Sequence, residues 1–197
     1  AGVTVKPGIY KLKMTYGGET SEQDIIVAYD PRLRMSDEAI NQKYNTSKVL
    51  EQYQAKITAV VKQLVESKNT AFKIQSDVSK ADKKKYKEAI DASKDVIKQI
   101  EGLIALYLGK IDKRQGITRN PEITVNQRFG IASSYVRSRF GEQTATEKQL
   151  IDQFKTTFKA AVSETNTFFN NDWKMYKEKV KDIQISPFKD TKIFAVN

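Results

Sequence analysis

The chain has 197 residues, 39% of them hydrophobic and 29% charged, which is enough for one sizeable core or one domain with an appendage. It contains no Cys and no His, which excludes disulfides, thiol nucleophiles, Ser-His-Asp triads and metal sites built on these residues. The net charge of +10 is dispersed, with Asp and Glu interleaved, and this favours a solvated lysine-rich surface over a site for an anionic partner.

Residues 8–29 are predicted to form a β-hairpin. Large and polar residues alternate with period two over residues 10–16, and residues 24–29 form a second, largely apolar strand. Gly17-Gly18 between them suits the positive φ angles of a tight turn. Because a two-stranded hairpin is marginal in water, we expect these strands to lie on the helices or to belong to a larger sheet.

A long first helix is predicted from Ser36 onward, over about 44 residues and roughly 65 Å. Ser36 is a suitable N-cap, and Asp37 and Glu38 suit the positive end of the helix dipole. Apolar or small residues then recur at alternating three- and four-residue steps, which is the heptad pattern of a helix that packs on other helices. This predicted heptad seam contains Leu50, Tyr53, Ile57, Val60, Leu64, Ser67, Ala71, Ile74 and Val78.

The same pattern predicts a second helix over residues 81–111, antiparallel to the first because few residues separate the two. Its seam contains Tyr86, Ile90, Ser93, Ile97, Ile100, Ile104, Tyr107 and Ile111. Lys83-Lys84-Lys85 lies near its start. This lysine run is either an anion site or, in the interpretation that we favour, a solvated helix end.

Residues 112–124 are predicted to be a polar crossover, followed by a short third helix over residues 126–140. Its apolar face contains Phe129, Ala132, Val136 and Phe140. Thr146-Glu147-Lys148-Gln149 has the form of a capping box and predicts the start of a fourth helix. The stripe of that helix contains Ile151, Phe154, Phe158, Ala161, Thr165, Phe169, Trp173, Tyr176, Val180 and Ile183. At helical spacing, we interpret these aromatic residues as core rather than as a nucleic-acid stacking platform.

These elements predict a mainly α fold, in which three long helices and one short helix form an antiparallel bundle behind an N-terminal β-hairpin. Residues 1–35 would form the hairpin region and residues 36–197 the helical bundle with a C-terminal tail. The tail begins at about Ile185, and residues 192–196 are apolar enough to return to the hairpin as a third strand that covers its edge.

The residues predict no catalytic, cofactor-binding or metal-ligating position and no cofactor. Neither a phosphate-binding loop nor calcium-loop spacing occurs. Paired carboxylates stay open as an alternative, namely an enzyme with its acids at the helix–hairpin junction. Asp30 beside Arg32 and Asp172 beside Trp173 are the most notable acids, and we interpret Asp30 as a structural cap or ion pair. No run of about 18 apolar residues is present, so we expect no transmembrane segment.

Several motifs resemble the C-terminal region of bacterial BNR-repeat proteins, which carry a sortilin-like β-propeller and are often labelled glycosyl hydrolases. In that family an immunoglobulin- or fibronectin-like unit follows the propeller, ends in Pro-Gly-x-Tyr, a Gly turn and Asp-Pro-Arg, and continues into helices. The corresponding residues are Pro7-Gly8-Ile9-Tyr10, Gly17-Gly18, the strand at residues 25–28, Asp30-Pro31-Arg32 and the crossover at residues 120–126. The family's fourth helix often opens with Pro-Thr, whereas this chain has Ala145-Thr146.

The resemblance implies that residues 1–35 are the remnant of a β-sandwich and that any hydrolase site of the parent protein lies upstream. This chain would then be a non-catalytic structural or interaction module of a secreted or periplasmic protein. Its partners would be the upstream β-propeller and β-sandwich, with a further protein partner left open and no specific nucleic acid. The alternative is a free-standing basic helical module that binds nucleic acid or an anionic membrane surface.

Overall fold

A computed structural model describes residues 2–33, 35–110 and 123–183 of the chain. Its elements are β1 (Gly8–Tyr16), β2 (Glu19–Val27), α1 (Asp37–Ala81), α2 (Lys87–Leu108), α3 (Val125–Ser138), α4 (Ala145–Asn170) and α5 (Asp172–Val180). The predicted fold class is therefore confirmed: a mainly α antiparallel bundle with an N-terminal β-hairpin. Most of the crossover, the C-terminal tail and its proposed third strand lie outside the described residues.

The chain divides into two compact units. The first contains the hairpin, α1 up to Ala59, α3, and α4 up to Lys159. The second contains the remainder of α1 and α4 together with α2 and α5. No helix within the described ranges is both long and apolar enough to cross a membrane.

Helix α1 begins where the sequence predicts. The Ser36 hydroxyl accepts a hydrogen bond from the Ala39 amide at 3.1 Å, which satisfies one of the free N–H groups of the first turn. The heptad seam is also confirmed, because every seventh residue from Leu50 onward is buried. This buried set is Leu50 and Ile57 in the first unit, and Leu64, Ala71 and Val78 in the second. The intervening Tyr53, Val60 and Ile74 are half-buried.

Aromatic side chains form the centre of the first unit. The Phe154 ring lies edge-on to Tyr53 and Phe129, with centroid distances of 5.1 and 5.4 Å, and Tyr53 also contacts Phe158. Edge-to-face geometry places the positive ring edge against a negative ring face and adds to the stabilisation from burial. These phenylalanines are core residues, as the sequence analysis predicts.

The short helix α3 ends earlier than predicted, at Ser138 rather than residue 140. Phe140 is consequently 69% exposed, and the prediction that it shares the buried face is wrong. The neighbouring Arg139 is buried instead. The N-cap of the next helix lies two residues earlier than the predicted Thr146. It is Thr144, whose hydroxyl accepts a hydrogen bond from the Glu147 amide at 3.1 Å.

Two corrections concern helices α2 and α4. Helix α2 begins at Lys87 rather than at residue 81. Before it, the Asp82 carboxylate accepts hydrogen bonds from the backbone amides of Lys84 and Lys85, which forms a turn instead of a helix start. Its buried face includes Val96 and Leu103 in place of the predicted Ile97 and Ile104. The predicted fourth helix consists of α4 and α5, which are separated only by Asn171. Phe168 is buried there, whereas the predicted Phe169 is half-buried.

Buried hydroxyl groups connect helices in the second unit. The hydroxyl groups of Tyr107 and Thr165 form a hydrogen bond with an oxygen–oxygen distance of 2.9 Å. The hydroxyl groups of Ser93 and Tyr176 do the same at the same distance. Burial raises the pKa of both tyrosines, although each hydrogen bond opposes the shift. Each pair satisfies polar groups that would otherwise be costly in a core.

The seam of α1 gives a direct test of the fold. Leu64 is fully buried in the second unit, so Leu64→Ala should lower the free energy of unfolding by about 2–5 kcal/mol, measured by urea denaturation. The matched control is Val65→Ala, because Val65 is the adjacent residue and is 38% exposed. Equal losses from both substitutions would contradict the assigned face of α1.

Candidate interaction surface

The hairpin is regular and closes through the predicted two-residue turn. Its strands pair antiparallel in a register that runs from Gly8 opposite Val27 to Tyr16 opposite Glu19. Gly17 and Gly18 have φ angles of 57° and 87°. Two successive positive φ values are the requirement of a type I′ turn, whose twist matches that of the flanking strands.

One side of this hairpin is apolar and open. Residues that face each other across a ladder share a side, and along each strand the sides alternate. We define the apolar hairpin face by Tyr10, Leu12, Met14, Tyr16, Ile25 and Val27; toward the turn, the β2 positions on the same side are polar, namely Glu19, Ser21 and Gln23. Leu12 is 56% exposed, Met14 66% and Tyr16 87%. Contiguous exposed side chains of this size mark an interaction surface more often than ordinary surface.

The opposite side is charged over most of its length. Glu22 lies 3.4 Å from Lys11 and 3.8 Å from Lys13, and Thr15 pairs with Thr20 near the turn. Only Ile9 and Ile26, which face each other at the open end, are apolar there. The hairpin thus has one largely charged side, and one side that is apolar along β1 and at the base of β2.

Both hairpin edges lack further strands within the described residues, where the sheet has two strands only. Near the base of the hairpin, Val27 and Tyr29 are partly buried. The expectation that the strands either lie on the helices or belong to a larger sheet stays a prediction. A strand edge without a partner leaves backbone N–H and C=O groups available for another strand. The apolar hairpin face and these edges together form the candidate interaction surface.

The turn after the hairpin is held by an ion pair. The Arg32 guanidinium donates to both carboxylate oxygens of Asp30, and the Arg32 amide donates to the same group. These hydrogen bonds hold the pKa of Asp30 below its ordinary value. The structural interpretation of Asp30 is therefore confirmed. Asp172, the other notable acid, lies in the first turn of α5.

A cleft of about 920 Å³ lies at the base of the hairpin, wholly within the first unit. Its walls are the N-terminal segment of residues 2–7, the hairpin exit, α1 and α3. Lys6 connects the N-terminal segment to α1 through two contacts. Its ammonium group donates a hydrogen bond to the Asn41 side chain at 2.9 Å and lies 5.0 Å from the centre of the Tyr44 ring. Sequence patterns gave no indication of this cleft.

A buried cluster of charges lies where α3 ends and α4 begins. Arg139 Nε is 3.2 Å from Glu147 Oε2, and both side chains are at most 4% exposed. The N–H direction does not meet hydrogen-bond geometry, so this contact is an ion pair, and Gln143 donates a hydrogen bond to the same carboxylate. The Lys43 ammonium donates to the carbonyl oxygens of Arg137 and Arg139 at 2.8 Å each.

Lys43 thereby caps the C-terminus of α3, where free carbonyl groups and the helix dipole favour a cation. Burial lowers the pKa of Lys43, Arg139 lowers it further, and Glu147 opposes the shift. No sequence pattern predicts this cluster. The only local signal was the Thr-x-x-Glu spacing from Thr144 to Glu147, which marks a helix start rather than an ion pair.

No family model, no curated protein and no solved structure matches this chain. Within the ranges that the structure describes, no group of three acidic residues lies close enough to hold a metal ion. The described acids with lowered pKa values are surface groups bound to nearby Arg or Lys residues, which is an arrangement of structural ion pairs.

Removing one partner of the buried ion pair should destabilise the protein much more than removing both. Glu147→Leu should lower the free energy of unfolding by about 3–5 kcal/mol, because it leaves the Arg139 charge buried without a counter-charge. The double variant Arg139→Leu/Glu147→Leu should recover most of that loss, since it removes both desolvated charges. Urea denaturation measures both. Asp91→Asn, which breaks an exposed ion pair with Lys94, serves as the control and should leave stability unchanged. An equally unstable double variant would contradict the electrostatic explanation.

Proposed function

We propose that this chain is a non-catalytic structural and interaction module of a larger exported protein. In this proposal the apolar hairpin face and the open strand edges are completed by β-structure that belongs to the same parent chain. The observation that carries the proposal is the combination of an alternating strand pattern with an apolar side that the described helices leave open. A sheet of only two strands buries too little to account for that pattern.

The resemblance to BNR-repeat proteins supplies the nature of the missing β-structure. Pro7-Gly8-Ile9-Tyr10 at the first strand and Asp30-Pro31-Arg32 after the second are the motifs that support it. On this basis we propose an upstream immunoglobulin- or fibronectin-like unit and a sortilin-like β-propeller as partners. A secreted or periplasmic location belongs to the same proposal.

The parent protein would contain any glycosyl hydrolase site in its propeller, and this chain would contribute none of the catalytic residues. The absence of His and Cys from the sequence supports this division, because it removes the commonest general base and thiol nucleophile. Asp30, the acid noted at the helix–hairpin junction, does not require a catalytic explanation, since Arg32 binds both of its carboxylate oxygens.

Hydrogen exchange provides the test of the proposal. The parent gene is expected to encode β-structure before residue 1, and the full protein should be compared with this chain alone. Outward-facing amides of β1 or β2 should exchange at least tenfold more slowly in the parent, because a neighbouring strand then accepts their hydrogen bonds. Amides in the middle of α2 are the internal control and should exchange equally. Unchanged hairpin exchange in the parent, or a gene without preceding β-structure, would overturn the proposal.

The alternative function, binding to nucleic acid or an anionic membrane surface, makes a different prediction. Because the +10 charge is dispersed, single-stranded and duplex DNA should bind weakly, without sequence preference, and binding should be lost as salt rises. Fluorescence anisotropy at several salt concentrations measures this. Submicromolar binding at physiological salt, with a preferred sequence, would favour the alternative over the module proposed above.

A further inference from the structure

The cleft at the hairpin base offers a second site that is separate from the apolar hairpin face. Its volume lies within the range of about 300–1,000 Å³ that is typical of small-molecule pockets. Leu50 and Val136 on its floor are 4% and 1% exposed, and Ile40 and Phe129 beside them are half-buried. The floor therefore presents packed apolar side chains rather than a solvated helix surface.

The acidic side chains that line this cleft form salt bridges, whereas its basic side chains do not within the described residues. Its two carboxylates, those of Asp30 and Glu51, are each neutralised by a cation that does not line the cleft, Arg32 and Lys48 respectively. In the described residues, no salt bridge involves the three cations of the lining, which are Lys6, Lys43 and Arg137. An acid group is thus the natural counterpart of the cleft lining.

The hydrogen-bonding capacity of the lining narrows the class of ligand. Lys6 already donates to Asn41, and Lys43 to two backbone carbonyl groups. A bound peptide would place several backbone N–H and C=O groups against this apolar floor, and each group without a partner costs free energy. A ligand with an apolar body and one acidic group avoids that cost.

We propose that the cleft binds a free anionic amphiphile of the long-chain carboxylate type. The alkyl body lies on the floor formed by Leu50, Val136 and Phe129, and the carboxylate lies toward Lys6 and Arg137. This inference does not depend on the function proposed above, since the cleft is formed entirely by described residues of the first unit.

The test uses the full chain labelled with ¹⁵N and titrated with laurate below its micelle concentration. Backbone amide shifts are expected at cleft residues such as Ser47 and Val136, and dodecanol, which lacks the charge, should bind at least tenfold more weakly. Arg137→Gln should weaken laurate binding by about two- to fivefold, as for the loss of one exposed ion pair. Lys155→Gln, an exposed position on α4 outside the lining, is the matched charge control and should have no effect.

Ser133→Phe adds a side chain inside the cleft and should reduce laurate binding at least tenfold, whereas Ser134→Phe, at the adjacent exposed position, should not. Equal binding of laurate and dodecanol, shifts confined to the apolar hairpin face, or binding only to vesicles of anionic phospholipid would each overturn the proposal. If Ser133→Phe loses its helical circular dichroism, the Arg137→Gln comparison decides. No shift at any cleft amide up to millimolar laurate would also overturn it.

Discussion

A helix of 45 residues buries an apolar stripe along its whole length only if other helices lie against it. In α1 that stripe recurs every seventh residue, from Leu50 to Val78, and each of those positions is buried. The remaining helices of each unit are explained by this requirement. In the first unit the start of α4 places Phe154 and Phe158 against Tyr53, and α3 places Phe129 against Phe154. In the second, α2 contributes a face on which Ile100 and Tyr107 are fully buried.

Two kinds of polar pair within these interfaces restrict how the helices pack. The Tyr107–Thr165 pair restricts the rotation of both helices, because the Thr165 hydroxyl keeps a bond to the Ala161 carbonyl in its own helix, whereas the buried Tyr107 hydroxyl depends on Thr165. The ion pair of Arg139 and Glu147 imposes a stronger condition at the α3–α4 connection. Buried ion pairs generally add little net stability but are costly to break, so we expect this pair to favour one arrangement of the connection more than it stabilises the fold.

Periodicity in the sequence predicted the elements well and their ends less well. The seam of α1 and the N-cap at Ser36 depend on local spacing and were found. At the early end of helix α3, Lys43, which is distant in sequence, binds the carbonyl groups of Arg137 and Arg139, and no local pattern reports that contact. The Asp82 turn that delays α2 is local but competes with strong helix formers. The cleft combines the N-terminal segment with two helices, so only the folded chain reveals it.

The placement of charge on the hairpin strands bears on how the chain avoids sticking to copies of itself. Open edges normally invite identical strands to join side by side. Here β1 carries Lys11 and Lys13, whereas β2 carries Glu22 and Asp24. Antiparallel joining of two β1 edges would set lysine opposite lysine, and two β2 edges would bring carboxylates together. Like-charge repulsion therefore discourages both symmetric dimers, and an edge that repels its own kind can stay open for a different strand.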